Sequence, residues 1–212
     1  MYQIIRYAFF IVLLVVVFFI LRKKQIKIKK WVVWCGLIIW LLCTFLSVLV
    51  PIENLFITFD SPQAVLNYTG GVRELFFTVE GEESMLLVYM SKENAQSSEV
   101  IKKTNDGWQI NPFTSRHSNV ISKEEATYIC SMYQYRNTDD YYVTVHIQGK
   151  LSNNMAKEAI EISDNKNTVF KYYEEGESNS DFDILDITYY AYIKGFDENY
   201  VLTVNGNTVT FD

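Results

Sequence analysis

The first fifty residues contain no aspartate or glutamate, and the whole 212-residue chain has three cysteines, three prolines and two histidines. Each scarcity excludes something. Cys35, Cys43 and Cys130 are too few for a disulfide framework, so the fold must be held by burial. His117 and His146 have no partner at metal-ligand spacing, and neither HExxH nor CxxC occurs. Each therefore reads as an exposed or hydrogen-bonded side chain. GxSxG, P-loop and dinucleotide fingerprints are missing as well, so no catalytic residue and no cofactor is assigned. Cys130 acts as a nucleophile only if folding brings a histidine to it; a buried free thiol is the commoner role.

What is present begins with charge and hydropathy. Seven of the nineteen Lys+Arg lie in the acid-free first fifty residues, and all twenty-five Asp+Glu follow. Two apolar runs, Ile4–Leu21 and Trp31–Val50, flank Arg22-Lys23-Lys24-Gln25-Ile26-Lys27-Ile28-Lys29-Lys30. Roughly 20 apolar residues cross about 30 Å of hydrocarbon. Residues 1–51 are therefore expected to form a two-helix transmembrane hairpin, stopped at Pro51, with the lipid bilayer as partner. The basic residues of the first run follow its apolar stretch, so it does not read as a cleaved signal peptide. Basic residues in short flanks stay inside. That expectation puts loop 22–30 in the cytoplasm and both the N-terminus and the acidic C-terminal part outside a cell membrane.

Arg22, Lys23, Lys24, Lys27, Lys29 and Lys30 would then sit at the membrane surface, as a topology anchor or a binder of anionic lipid. A nucleic-acid or cytoplasmic partner is a further use of such a loop, though no nucleic acid is expected. Gly36, Cys43 and Ser47 share one helical stripe with Trp40 and are candidates for helix packing, within the chain or between copies.

The remainder reads as mostly strand. Ser61 can cap and Pro62 can begin a short helix that ends at Gly70 or Gly71. Leu75–Glu80 and Met85–Met90 form a hairpin; Val100–Lys103 and Trp108–Ile110 flank an Asn105-Asp106-Gly107 turn. Residues 52–112 are thus expected to be a small α+β domain, one helix on an antiparallel meander. Pro112 to Asn119 reads as a polar connector. Residues 113–212 are expected to be a β-sandwich, immunoglobulin-like in architecture, though without the Cys…Trp…Cys signature. Tyr141, Val143, Val145 and Ile147 alternate with a wetter set, Tyr142, Thr144, His146 and Gln148. Asn205-Gly206 is a type I′ turn signal that pairs Val204 with Asn207 and Leu202 with Val209.

Two features invite a binding role. Glu174, Glu175, Glu177, Asp181, Asp183 and Asp186 form an acidic stretch whose carboxylates suit Ca²⁺, or else a solvated loop. Adjacent tyrosine pairs place one ring on each face of a strand. Some rings must then be exposed for a protein or glycan partner, or covered by a neighbouring sheet.

The order of two apolar runs, then Phe59-Asp60-Ser61-Pro62, then Lys102-Lys103 and Asp106-Gly107-Trp108, resembles uncharacterised two-helix membrane-anchored proteins of low-GC Gram-positive bacteria. It covers residues 1–112 and implies neither an activity nor catalytic residues. The excess of residues with AT-rich codons agrees with such a source. The resulting expectation is a non-enzymatic, membrane-anchored extracytoplasmic binding protein of the cell envelope, with an envelope protein or glycan as partner. The alternatives are a membrane immunity or sensing protein that signals through the basic loop, and an envelope enzyme with an unrecognised site.

Overall fold

The structure, a computed structural model, describes residues 2–23, 29–49, 51–70, 72–111, 114–123, 126–135, 138–150, 160–174, 184–195 and 199–211. Two helices come first, α1 (Tyr2–Lys23) and α2 (Lys30–Leu49). They touch: the Trp40 indole Nε1 donates to the Phe10 carbonyl at 3.1 Å.

The transmembrane expectation is corrected here. Among the described residues no helix is long and apolar enough to cross a membrane. Side chains are described over 7–23 of α1 and 31–46 of α2. The last turn of α1 carries the charged pair Arg22 and Lys23, whose burial in hydrocarbon is costly. The two-pass topology and the cell-membrane placement with its inside and outside faces go with it. Three β-sheets dominate instead.

The first sheet is an antiparallel meander of β1 (Val72–Glu80), β2 (Ser84–Ser91), β3 (Gln96–Thr104) and β4 (Gly107–Gln109). One face carries α3 (Pro62–Thr69). Ser61 Oγ accepts from the Ala64 N–H at 3.2 Å, Pro62 opens the first turn, and Gly70 ends it at φ +74°. The helix buries Val65 and Leu66 against Met85, Leu87, Ile101 and Ile110. Burying one such side chain fully is worth about 1.5–3 kcal/mol, which fixes this short helix far more firmly than its own propensity could.

The central sheet has the order β5-β6-β7-β10-β9: β5 (Thr114–Ser122), β6 (Ala126–Tyr135), β7 (Asp140–Lys150), β9 (Lys171–Glu174) and β10 (Ile184–Lys194). Thr114–Asn119, read from sequence as connector, is the first part of β5. A strand at a sheet edge pairs on one side only and stays largely exposed, so its composition remains polar. The small sheet joins β8 (Ile162–Asp164), β11 (Leu202–Val204) and β12 (Asn207–Val209). Its hairpin pairs Leu202 with Val209, Thr203 with Thr208 and Val204 with Asn207, the register that Asn205-Gly206 implies. Both turn residues have positive φ, 47° and 74°, as a type I′ turn requires.

Both faces of the central sheet are covered. One packs Cys130, Met132, Val143, Val145, Ile147 and Ile187 against Leu202, Val204 and Val209 of the small sheet. The other packs Tyr133 and Tyr142 against Val79, Leu86, Val88 and Val100 of the first sheet. The adjacent tyrosines are divided accordingly: Tyr141 joins the first of these cores and Tyr142 the second.

Asp140, at the start of β7, ties the first sheet to the central one. Only 2% of it is exposed. Its carboxylate accepts from the Glu82 and Glu83 N–H groups at 3.2 and 2.9 Å, from Ser84 Oγ at 2.7 Å and from the Tyr192 hydroxyl at 2.8 Å. Burial pushes its pKa up, but hydrogen bonds from Ser84, Tyr192 and the two backbone groups outweigh that and hold it below the usual carboxylate range. The tie closes over Gly81, where an added Cβ would lie 2.7 Å from Asp140 Oδ2 and collide with the Tyr142 hydroxyl.

A polar cleft between the first and central sheets

Along β7 the side chains facing the first sheet run Tyr142, Thr144, His146; along β10 they run Tyr192, Tyr190, Thr188. Register pairs Tyr142 with Tyr192 and His146 with Thr188. The shared face is thus aromatic at one end and polar at the other. At the polar end a cleft of about 400 Å³ opens between the sheets. Its central-sheet wall includes Arg116, Ser131, Tyr133, Thr144, His146 and Thr188, and the first sheet contributes Val88, Gln96 and Ser98. Strands supply every one of these residues, so backbone ladders fix the positions from which their side chains project.

Two small networks organise the walls. His146 Nδ1 lies 3.1 Å from Thr188 Oγ1 and 3.4 Å from Asp186 Oδ1. Gln96 Nε2 reaches across from the first sheet and donates to Thr188 Oγ1 at 3.2 Å. Burial lowers the His146 pKa, with Asp186 opposing the shift, so the imidazole is mainly neutral at pH 7. On the other side, Arg116 Nε donates to Ser118 Oγ at 2.9 Å and Nη2 to Ser131 Oγ at 3.4 Å. The two serine hydroxyls bond each other at 2.9 Å. The guanidinium stands 5.5 Å from the Tyr133 ring centroid, within cation–π range.

The residues singled out from sequence fare unevenly. Cys130 is fully buried in the core shared with the small sheet, and burial pushes its thiol up to about 11. It points away from His146, which lines the opposite face, so a Cys–His pair with that histidine is excluded. His117, in β5, is exposed and stands opposite Met132. Of the calcium candidates, Glu175, Glu177, Asp181 and Asp183 lie outside the described residues, as does the Glu174 side chain. Asp186 is turned to His146. Among the described residues no group of three His, Cys, Asp or Glu could hold a metal ion.

Arg22, Lys23 and Lys29 are exposed; Lys24, Lys27 and the Lys30 side chain lie outside the described residues. The membrane-surface role expected of this set was argued from the two spans. Gly36 and Cys43 line an apolar groove of about 570 Å³ between α1 and α2. A Cβ on Gly36 would meet nothing within 4 Å, so the helices do not close at that glycine. The Ser47 side chain is outside the described residues.

Sequence reasoning missed Arg116, Ser131, Gln96 and Ser98. Strand alternation had already placed Thr144 with His146. The signal for Arg116 was available only to a reader who took β5 as strand, because its pairing with Tyr133 follows from the β5–β6 register.

Comparison with protein-family models, with curated proteins and with solved structures finds no match for this chain.

Proposed function

We propose that this chain is a binding protein, not an enzyme, and that it takes a polar ligand into the cleft between its first and central sheets. The observation that carries this reading is the cleft itself. It is about 400 Å³, within the size of small-molecule sites, and it gathers hydroxyl, amide, imidazole and guanidinium groups on rigid strands. The Asp140 tie holds the two walls together at the other end of the same interface, which lowers the ordering cost of binding.

The test uses the full chain. Its thermal unfolding is followed against sugars, amino acids and phosphorylated small molecules at millimolar concentration. A ligand at a hundred times its Kd should add about 2.7 kcal/mol of stability. Ser98→Phe fills the cleft from the first sheet and should abolish the response while preserving far-ultraviolet circular dichroism. A panel without any response, or one unchanged by Ser98→Phe, would refute the proposal.

The His146–Asp186 pair favours a second reading, hydrolysis with His146 as general base oriented by a carboxylate. Turnover of chromogenic esters that disappears in His146→Gln supports it. Turnover that persists in that variant removes it.

A further inference from the structure

Resting on the binding reading, we infer that the cleft takes a tetrahedral oxyanion of the phosphate class, with Arg116 as its principal contact and the Ser131 and Thr144 hydroxyls as supporting donors. Three observations lead there. First, among the described lining residues Arg116 bears the only fixed charge and no carboxylate is present, in a chain whose net charge is −6. Asp186, which could have supplied one, is engaged with His146 Nδ1.

Second, Arg116 is held before any ligand arrives. Its Nε and Nη2 are bonded to Ser118 and Ser131, and its plane rests by Tyr133. A flexible cation loses rotamer freedom on being fixed; this one is already fixed, with donor capacity to spare on its fork. Arg116 is exposed, so an incoming anion can reach it. Third, the remaining polar lining is hydroxyl-rich, with Ser98, Ser131, Thr144 and Thr188. Hydroxyls turn to donate to an oxyanion. A neutral sugar, itself rich in donors, calls for carboxylate acceptors, which this lining lacks.

Calorimetric titration of the full chain at low ionic strength tests the assignment, with inorganic phosphate, glycerol 3-phosphate, glycerol and glucose as probes. The expected result is saturable binding of at least one phosphate probe that weakens as NaCl is added. Arg116→Gln should weaken it about 10- to 100-fold, the weight of a charge-assisted contact. Arg116→Lys, which keeps the charge and loses the fork, should fall between. Arg116 lies exposed on an edge strand, so both variants should keep the wild-type far-ultraviolet circular dichroism and a cooperative unfolding transition.

Equal binding of the two phosphate probes identifies the free anion, and preference for glycerol 3-phosphate identifies an ester. Phosphate binding indifferent to Arg116→Gln overturns the inference. Binding of glucose or glycerol alone, lost in Ser98→Phe, overturns it too but leaves the binding reading standing. Silence of all four probes overturns the oxyanion assignment, and the wider panel then decides the binding reading separately.

Discussion

Replacing Asp140 by asparagine probes the joint between the two larger sheets. The wild-type carboxylate receives four donors, two backbone N–H groups and two hydroxyls. An amide keeps one accepting oxygen and turns an NH₂ group toward the donors that faced the other. Two of the four donors, at most one of them fully buried, then lose their partner, at about 1–3 kcal/mol each. Some relief comes from hydroxyl rotation at Ser84, whose Oγ also lies 2.8 Å from the Tyr142 hydroxyl. A net loss of about 3 kcal/mol is the expectation, a large share of the 5–15 kcal/mol typical of a domain. Urea denaturation followed by far-ultraviolet circular dichroism measures it, with an unchanged m-value certifying that the native state is the same.

The acid limb provides an independent reading of the same group. The folded pKa of Asp140 is depressed. Its stabilisation is therefore present above its unfolded pKa, near 3.9, and is lost as pH falls through the lower folded value. Asp140→Asn should flatten the fall in stability below about pH 4. A variant that loses less than about 1 kcal/mol at pH 7 and keeps the wild-type acid limb would refute the tie. Gly81→Ala attacks the joint from the turn side, by about 1–3 kcal/mol of overpacking. Because it disturbs the same hydrogen bonds, its effect should not add to that of Asp140→Asn.

Three further outcomes follow from single positions. Gly206→Val should cost about 1–3 kcal/mol, seen as a melting temperature lower by several degrees, because a β-branched residue resists the +74° φ of that turn. Burial raises the Glu99 carboxyl to about 7, so the folded state holds its proton more tightly than the unfolded chain does. Stability should therefore decline as pH rises from about 4.5 towards 7 and above, by on the order of 3 kcal/mol, and urea midpoints of Glu99→Gln should lack this decline. Cys130, fully buried and with its thiol pushed up to about 11, should escape iodoacetamide at pH 8 in the native protein. Mass spectrometry should find it alkylated only after denaturation; native labelling would contradict the packing of that core.

Local signals were legible where a few adjacent residues carry the whole requirement. Asn205-Gly206 demands positive φ at two positions, and with strand alternation this sets which residues of the last hairpin face each other. Ser61-Pro62 meets the needs of a helix start without help from elsewhere. The same local reading misled at both ends of the polarity scale. Apolar length near the N-terminus suggested spans that the described helices do not provide. The polarity of Thr114–Asn119 suggested a connector, because an edge strand with an exposed outer face resembles a loop in composition. The cleft was half legible: His146 was placed on the wetter face of its strand. Asp186 was grouped with an acidic loop, although its strand phase turns it to that histidine.

Legible in the sequence were the phase of β7, the turn at 205–206, the cap at 61, and the lack of any recognised metal or nucleotide motif. All of these depend on φ preferences, period-two alternation or the spacing of neighbours. What covers each face is settled by packing between elements distant in the chain. Alternation states that Tyr142, Thr144 and His146 share a side, but whether that side meets water, a small sheet or a large one depends on packing choices made far along the chain. The partners of Asp140 in the β1–β2 turn lie 56 to 58 residues away, and Gln96 meets Thr188 across 92. Closing contacts of that length costs chain entropy, which the burial of whole sheet faces, not any local pattern, must repay.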